Sequence, residues 1–138
     1  MSAQLAHPTT DDRRAVRDDH SPMRVLLADR EGAARYALAA LLQSLPGIML
    51  VGMATSMVDV AESLRRHRPE VLIVDDRLLR DGAHVLAGTG PTPAPVRVIV
   101  VGVDDDPAFA RRAKRLGAEA WVAKDRADDE LPKLLETP

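Results

Sequence analysis

The stretch PEVLIVDDR, residues 69–77, decides the fold. Pro69 cannot continue a helix, Val71–Val74 is apolar without alternation, and two acids follow at once. A short unbroken apolar run between breakers suits a parallel strand covered on both faces. Runs of the same kind lie at Val25–Ala28, Ile48–Met53, Val96–Val101 and Ala120–Ala123, so five strands are expected.

The segments between them carry helical spacing. Ala34, Leu38, Leu41, Leu42 and Leu45 form one stripe, which Pro46-Gly47 stops. Met57, Val60, Ala61 and Leu64 form a second, after the capping candidates Thr55 and Ser56 and before Pro69. Asp106-Pro107 opens a third helix that turns Phe109, Ala113 and Leu116 inward until Gly117. Two segments signal less. AHVLAGTGPTPAP, residues 83–95, leaves room for one or two turns, making the fourth crossover helix short. In DDELPKLLETP, residues 128–138, Pro132 lacks an N–H and is expected near the start of a stunted last helix.

Alternating strands and helices with short connections imply an α/β fold, a doubly wound parallel sheet with helices on both faces. Ligands of such sheets gather at the carboxyl ends of the strands. That rule selects Asp29 and Arg30, Asp75–Arg77, Gly102–Asp105 and Lys124. An acid after a strand is commonly a helix cap or turn residue. Two carboxylates and an ammonium on one sheet edge, however, outline a chemical site.

Bulk composition bounds the rest. The chain has 138 residues, enough for one domain with its own core, and no cysteine, so no disulfide framework or thiolate site. Nineteen basic against 21 acidic residues give a net charge of −2, no electrostatic reason to bind nucleic acid or an anionic membrane. The four histidines, at 7, 20, 67 and 84, lack metal-ligand spacing, and no phosphate-cradling glycine loop or Ser-His-Asp pattern occurs, so no conventional enzyme is expected. Residues 1–22 are polar and aperiodic and read as a disordered tail before a domain at 23–138, with Met23 an alternative start. No room remains after Leu135 for a helix-turn-helix, and a cytoplasmic location is expected.

Four segments together resemble the receiver domains of bacterial two-component response regulators, over Met23 to about Leu135. RVLLADREGAARYALAALL (24–42) looks like the family's first strand and helix, and PEVLIVDDR like its third strand with the phosphoacceptor. VRVIVVG (96–102) is similar to the fourth strand, and GAEAWVAKD (117–125) to the fifth, ending in its lysine. The resemblance implies a flavodoxin-like five-stranded sheet in the order 2-1-3-4-5 and a protein partner, either a histidine kinase or a downstream effector. It makes Asp75 the phosphoacceptor and Asp29 an acid that helps hold Mg²⁺. The backbone carbonyl of Arg77 would join the metal shell, Lys124 would pair with the phosphoryl group, and Trp121 would be the aromatic switch residue. Asp76 could be mistaken for the acceptor, but counting from Pro69 favours Asp75.

Two positions depart from the family pattern. Arg30 stands where a second metal-binding acid belongs, and Gly102 where a Ser or Thr hydroxyl belongs. A guanidinium cannot ligate a metal and stays charged. The expectation is therefore a degenerate pocket in which Arg30 pairs with Asp75 or Asp29 in place of the ion. The alternative is a receiver that still accepts phosphate on Asp75 with Mg²⁺. The third helix carries Arg111, Arg112, Lys114 and Arg115, and the last segment Asp128, Asp129 and Glu130. These are solvated faces, or else surfaces that pair across a two-fold axis in a homodimer.

Overall fold

The computed structural model describes residues 21–82, 96–103 and 107–136, except for the side chain of Asp81. The expected tail, apart from Ser21 and Pro22, and the crossover segment 83–95 lie outside these residues.

The five apolar runs all form strands: β1 Met23–Ala28, β2 Ile48–Ala54, β3 Val71–Asp75, β4 Arg97–Gly102 and β5 Ala120–Ala123. They pair in parallel in the order β2-β1-β3-β4-β5. Val71–Val74 has no solvent exposure, as expected for the centre of a sheet covered on both faces. The described helices are α1 Gly32–Ser44, α2 Met57–His67, α3 Asp76–Gly82, α4 Pro107–Arg115 and α5 Ala127–Glu136, with a 3₁₀ turn at Lys124–Arg126.

Successive strand side chains point to opposite faces and so build two cores. Val25, Leu27, Ile73 and Ile99 meet Leu38 and Leu42 of α1 and Leu131 and Leu135 of α5. Leu26, Leu72, Val74 and Val100 meet Val60 and Leu64 of α2, Leu78 and Leu79 of α3, and Phe109 of α4. Register then places the site. Ala28 pairs with Val74, so Asp29 and Asp75 leave the sheet side by side, and Gly102 lies beside Ala123, the residue before Lys124.

Helix α3 starts at Asp76, directly behind the strand. One helical expectation is corrected. The last helix does not wait for Pro132 but begins at Ala127, with the proline inside it. Ala127, Leu131 and Leu135 are buried at i, i+4 and i+8, and that burial offsets the hydrogen bond the proline cannot make.

Helix α2 is closed by local chemistry at both ends. The Ser56 hydroxyl accepts from the Asp59 N–H at its start. At its end Arg68 takes a left-handed conformation, φ 47, and donates its N–H to the Leu64 carbonyl. That conformation is sterically costly for a residue with a side chain, whereas glycine adopts it freely. Arg68→Gly is expected to stabilise the domain by about 0.5–1 kcal/mol. The check is a higher urea midpoint at unchanged slope.

Candidate functional site

Lys124 follows β5, two strands from β3, and its side chain crosses the end of β4 to reach the acids. Its Nζ lies 2.7 Å from Asp29 Oδ2 and 2.9 Å from Asp75 Oδ1. The remaining oxygens are also engaged. Asp29 Oδ1 accepts from the Glu31 N–H at 3.0 Å. Asp75 Oδ2 accepts from the N–H groups of Arg77 and Leu78, at 3.1 and 3.2 Å. Asp75 thus caps α3 with one oxygen and binds the ammonium with the other. Only 1% of Asp29 and 6% of Asp75 is exposed, so this cation and these N–H groups replace most of their hydration.

Lys124 responds to two opposed forces. Burial disfavours its charged form, but hydrogen bonds and charge attraction from Asp29 and Asp75 outweigh that and raise its pKa above the ordinary 10.5.

The position of the missing hydroxyl is packed. A Cβ on Gly102 would lie 3.1 Å from Cζ of Phe109 and 3.3 Å from Cβ of Asp76. Phe109 is 2% exposed, so an aromatic ring fills the space beside Gly102. Trp121, opposite Val100 in β5, is half-buried against the same core. Lys114 Nζ lies 5.5 Å from its ring centroid, within cation–π range.

Other expected residues fall differently. Both acids are held by Lys124, and Arg30, expected to pair with one of them, is exposed. Arg77, also exposed, lies in the first turn of α3, where carbonyls point along the axis toward the helix C-terminus. Arg112 leaves the expected interaction face. Its guanidinium turns inward to Asp76 Oδ2 at 3.0 Å, while Arg111, Arg115, Asp128 and Asp129 remain exposed. Arg35, not singled out in the sequence, donates to the Asp29 and Arg30 carbonyls at 3.0 and 3.3 Å and holds the turn after β1. The Asp76–Arg112 pair did leave a trace in the sequence. Arg112 lies three residues after inward-facing Phe109, on the same helical side.

Residues 25–136, carrying this strand order and these three charged strand ends, match the response regulator receiver domain family. The chain belongs to that family. Among solved receivers, the signal receiver domain of NarL from Mycobacterium tuberculosis superposes with a TM-score of 0.73 at 27% identity, covering 84% of this chain and 94% of that one. In sequence, Probable transcriptional regulatory protein NarL of that organism is 29% identical over 112 residues. A protein-glutamate methylesterase/protein-glutamine glutaminase of Anaeromyxobacter dehalogenans is 35% identical over 109. The chain spans 52% of NarL and 30% of the methylesterase, so the likeness is to their receiver portions.

Lys124→Met leaves two buried carboxylates facing each other without their cation. A loss of about 3–5 kcal/mol is expected, and adding Asp29→Asn with Asp75→Asn is expected to recover most of it. The raised lysine pKa fixes the pH dependence. This contribution is full below 10.5 and lost as pH rises through the higher folded-state value. Urea titrations of wild type and Lys124→Met between pH 7 and 11 check both, the wild-type advantage shrinking at the alkaline end.

Proposed function

We propose that this receiver is a signal-transduction and protein-interaction module that works without Mg²⁺-dependent phosphorylation of Asp75. The observation that carries the reading is the engagement of both Asp75 oxygens, one by Lys124 and one by the start of α3. A nucleophilic carboxylate needs an oxygen directed at the incoming phosphorus, with cations on the equatorial oxygens. Here the carboxylate is buried and shared between an ammonium and a helix cap.

The residues at the strand ends do not fit Mg²⁺. That ion favours octahedral oxygen donors, usually one or two carboxylates with water and phosphate oxygens. Asp29 and Asp75 already share an ammonium, the residue after Asp29 is Arg30 in place of an acid, and Arg77 lies in the first turn of a helix. Among the described residues no three acidic or histidine side chains gather as a metal site. The Phe109 ring beside Gly102 supports the same reading, since it packs the place from which a hydroxyl would bind the phosphoryl group.

On this reading Lys124 is an internal counterion, and the domain is either held in one conformation or reads a signal other than phosphate through a protein partner, a kinase or an effector. A cytoplasmic setting, no direct nucleic-acid contact by this chain and a homodimer through the α4 and α5 charges belong to the same proposal. Among the described residues no helix is long and apolar enough to cross a membrane. The second reading, a receiver phosphorylated on Asp75 by a histidine kinase, is favoured by the convergence of Asp29, Asp75 and Lys124.

Trp121 is the sole tryptophan, so its emission separates the two readings. With beryllofluoride and Mg²⁺, no saturable change is expected; a saturable, Mg²⁺-dependent change that disappears in Asp75→Asn would establish phosphorylation competence instead. A second prediction concerns Arg30. Arg30→Asp removes a cation and adds a carboxylate beside Asp29, and is expected to raise Mg²⁺ affinity by about tenfold or more in calorimetric titration.

A further inference from the structure

We infer that Asp76 and Arg112 form a latch that carries the state of the Asp75 carboxylate to α4. The inference goes beyond the proposed function, because it holds for any event that moves Asp75, whether a phosphoryl group, a bound partner or another ligand.

The chain of contacts begins at the end of β3. Asp75 Oδ2 caps α3 through the Arg77 and Leu78 N–H groups, and Asp76 is the first residue of that helix. Displacing the Asp75 carboxylate frees these donors and loosens the turn to which Asp76 belongs. The Asp76 carboxylate is itself buried, with 4% exposure. Its Oδ2 lies 3.0 Å from a terminal nitrogen of Arg112 and 3.5 Å from Nε of the more exposed Arg80. Its Oδ1 is buried without a hydrogen-bond partner among the described residues. The compensation for burying this charge therefore comes through Oδ2, and the Arg112 contact is the closer and drier of the two.

Arg112 sits on α4, a nine-residue helix with two buried side chains, Phe109 and Ala113. So small an apolar anchor makes an inward ion pair a large share of what holds the helix in place. The same helix packs the Phe109 ring beside Gly102 and sets Lys114 over Trp121. Asp76 thus contacts α4 by its carboxylate, and its Cβ shares the space at Gly102 with the ring. This gives the domain a route from Asp75 to α4 and Trp121 through a helix cap and a buried ion pair. It needs no side chain at Gly102.

Hydrogen exchange with mass spectrometry and acrylamide quenching of Trp121 test the latch. Asp76→Asn keeps the shape and removes the charge; amides of α4 are expected to exchange about tenfold faster or more, with stronger Trp121 quenching, while α1 and α5 keep their wild-type rates. Arg112→Gln is expected to reproduce this from the other partner, and it serves where Asp76→Asn fails to fold. Arg80→Ala is expected to leave α4 unchanged. Transmission is read from Asp75→Ala, which is expected to loosen α4 in the wild type and to add little to Asp76→Asn. Uniform acceleration in every element, unchanged α4 exchange in both latch variants, or full additivity of Asp75→Ala with Asp76→Asn would each overturn the inference.

Discussion

The ammonium of Lys124 between two buried carboxylates is the constraint around which the C-terminal edge of the sheet is organised. Asp29 and Asp75 come from adjacent strands, and the register that aligns Ala28 with Val74 sets them next to each other. Two such charges, almost without water, are tolerable only beside a cation. That cation comes from β5, so one residue ties together three strand ends distant in sequence. A slip of one residue in β1 or β3 would turn an acid toward an apolar core and leave the lysine short of a partner.

Asp75 meets two ordinary demands at once. An acid behind a strand and ahead of a helix satisfies orphan N–H groups, and an acid facing a buried lysine neutralises it. The two uses take different oxygens, so neither weakens the other, but together they leave the carboxylate little idle hydrogen-bonding capacity. The immediate start of α3 follows from this. In place of a loop that lifts the backbone away, the helix sits on the carboxylate, and Asp76 is drawn into the space between Gly102 and Arg112.

The strands were legible because a buried parallel strand writes an unbroken apolar run, and all five lie within one or two residues of the runs in the sequence. Strand-end acids and the lysine were legible for the same reason, since each follows such a run directly. Side-chain direction was the weaker point. Arg30 reads as a neighbour of Asp29, yet consecutive residues leaving a strand tend to point opposite ways, so burial of Asp29 favours exposure of Arg30. The start of α3 directly behind β3 is hard to read because an acid after a strand suits a helix cap and a turn residue equally, and Asp75 alone does not separate them. Pro132 points to a later start of α5 than the helix has, whereas the i, i+4, i+8 spacing of Ala127, Leu131 and Leu135 in the sequence marks its true beginning. Asp76 and Arg112 are 36 residues apart, and sequence periodicity can turn each inward without showing that they meet.

An internal counterion changes what a signal must do at this edge. A pocket neutralised by a soluble ion responds to that ion's concentration, because the bound and free forms exchange. Lys124 is tethered and reaches both acids at once, so its local concentration is fixed by the fold and independent of solution. A divalent ion entering the same space must displace the ammonium and give up part of its own tightly held hydration, while Lys124 loses both partners in a largely dehydrated setting. Displacement of Lys124 or Asp75 by a contact that itself neutralises the acids is the less costly way to alter the edge. An approaching protein surface with its own cation or N–H donors meets that requirement. On the proposed reading, this is the physical ground for a module governed by protein contact.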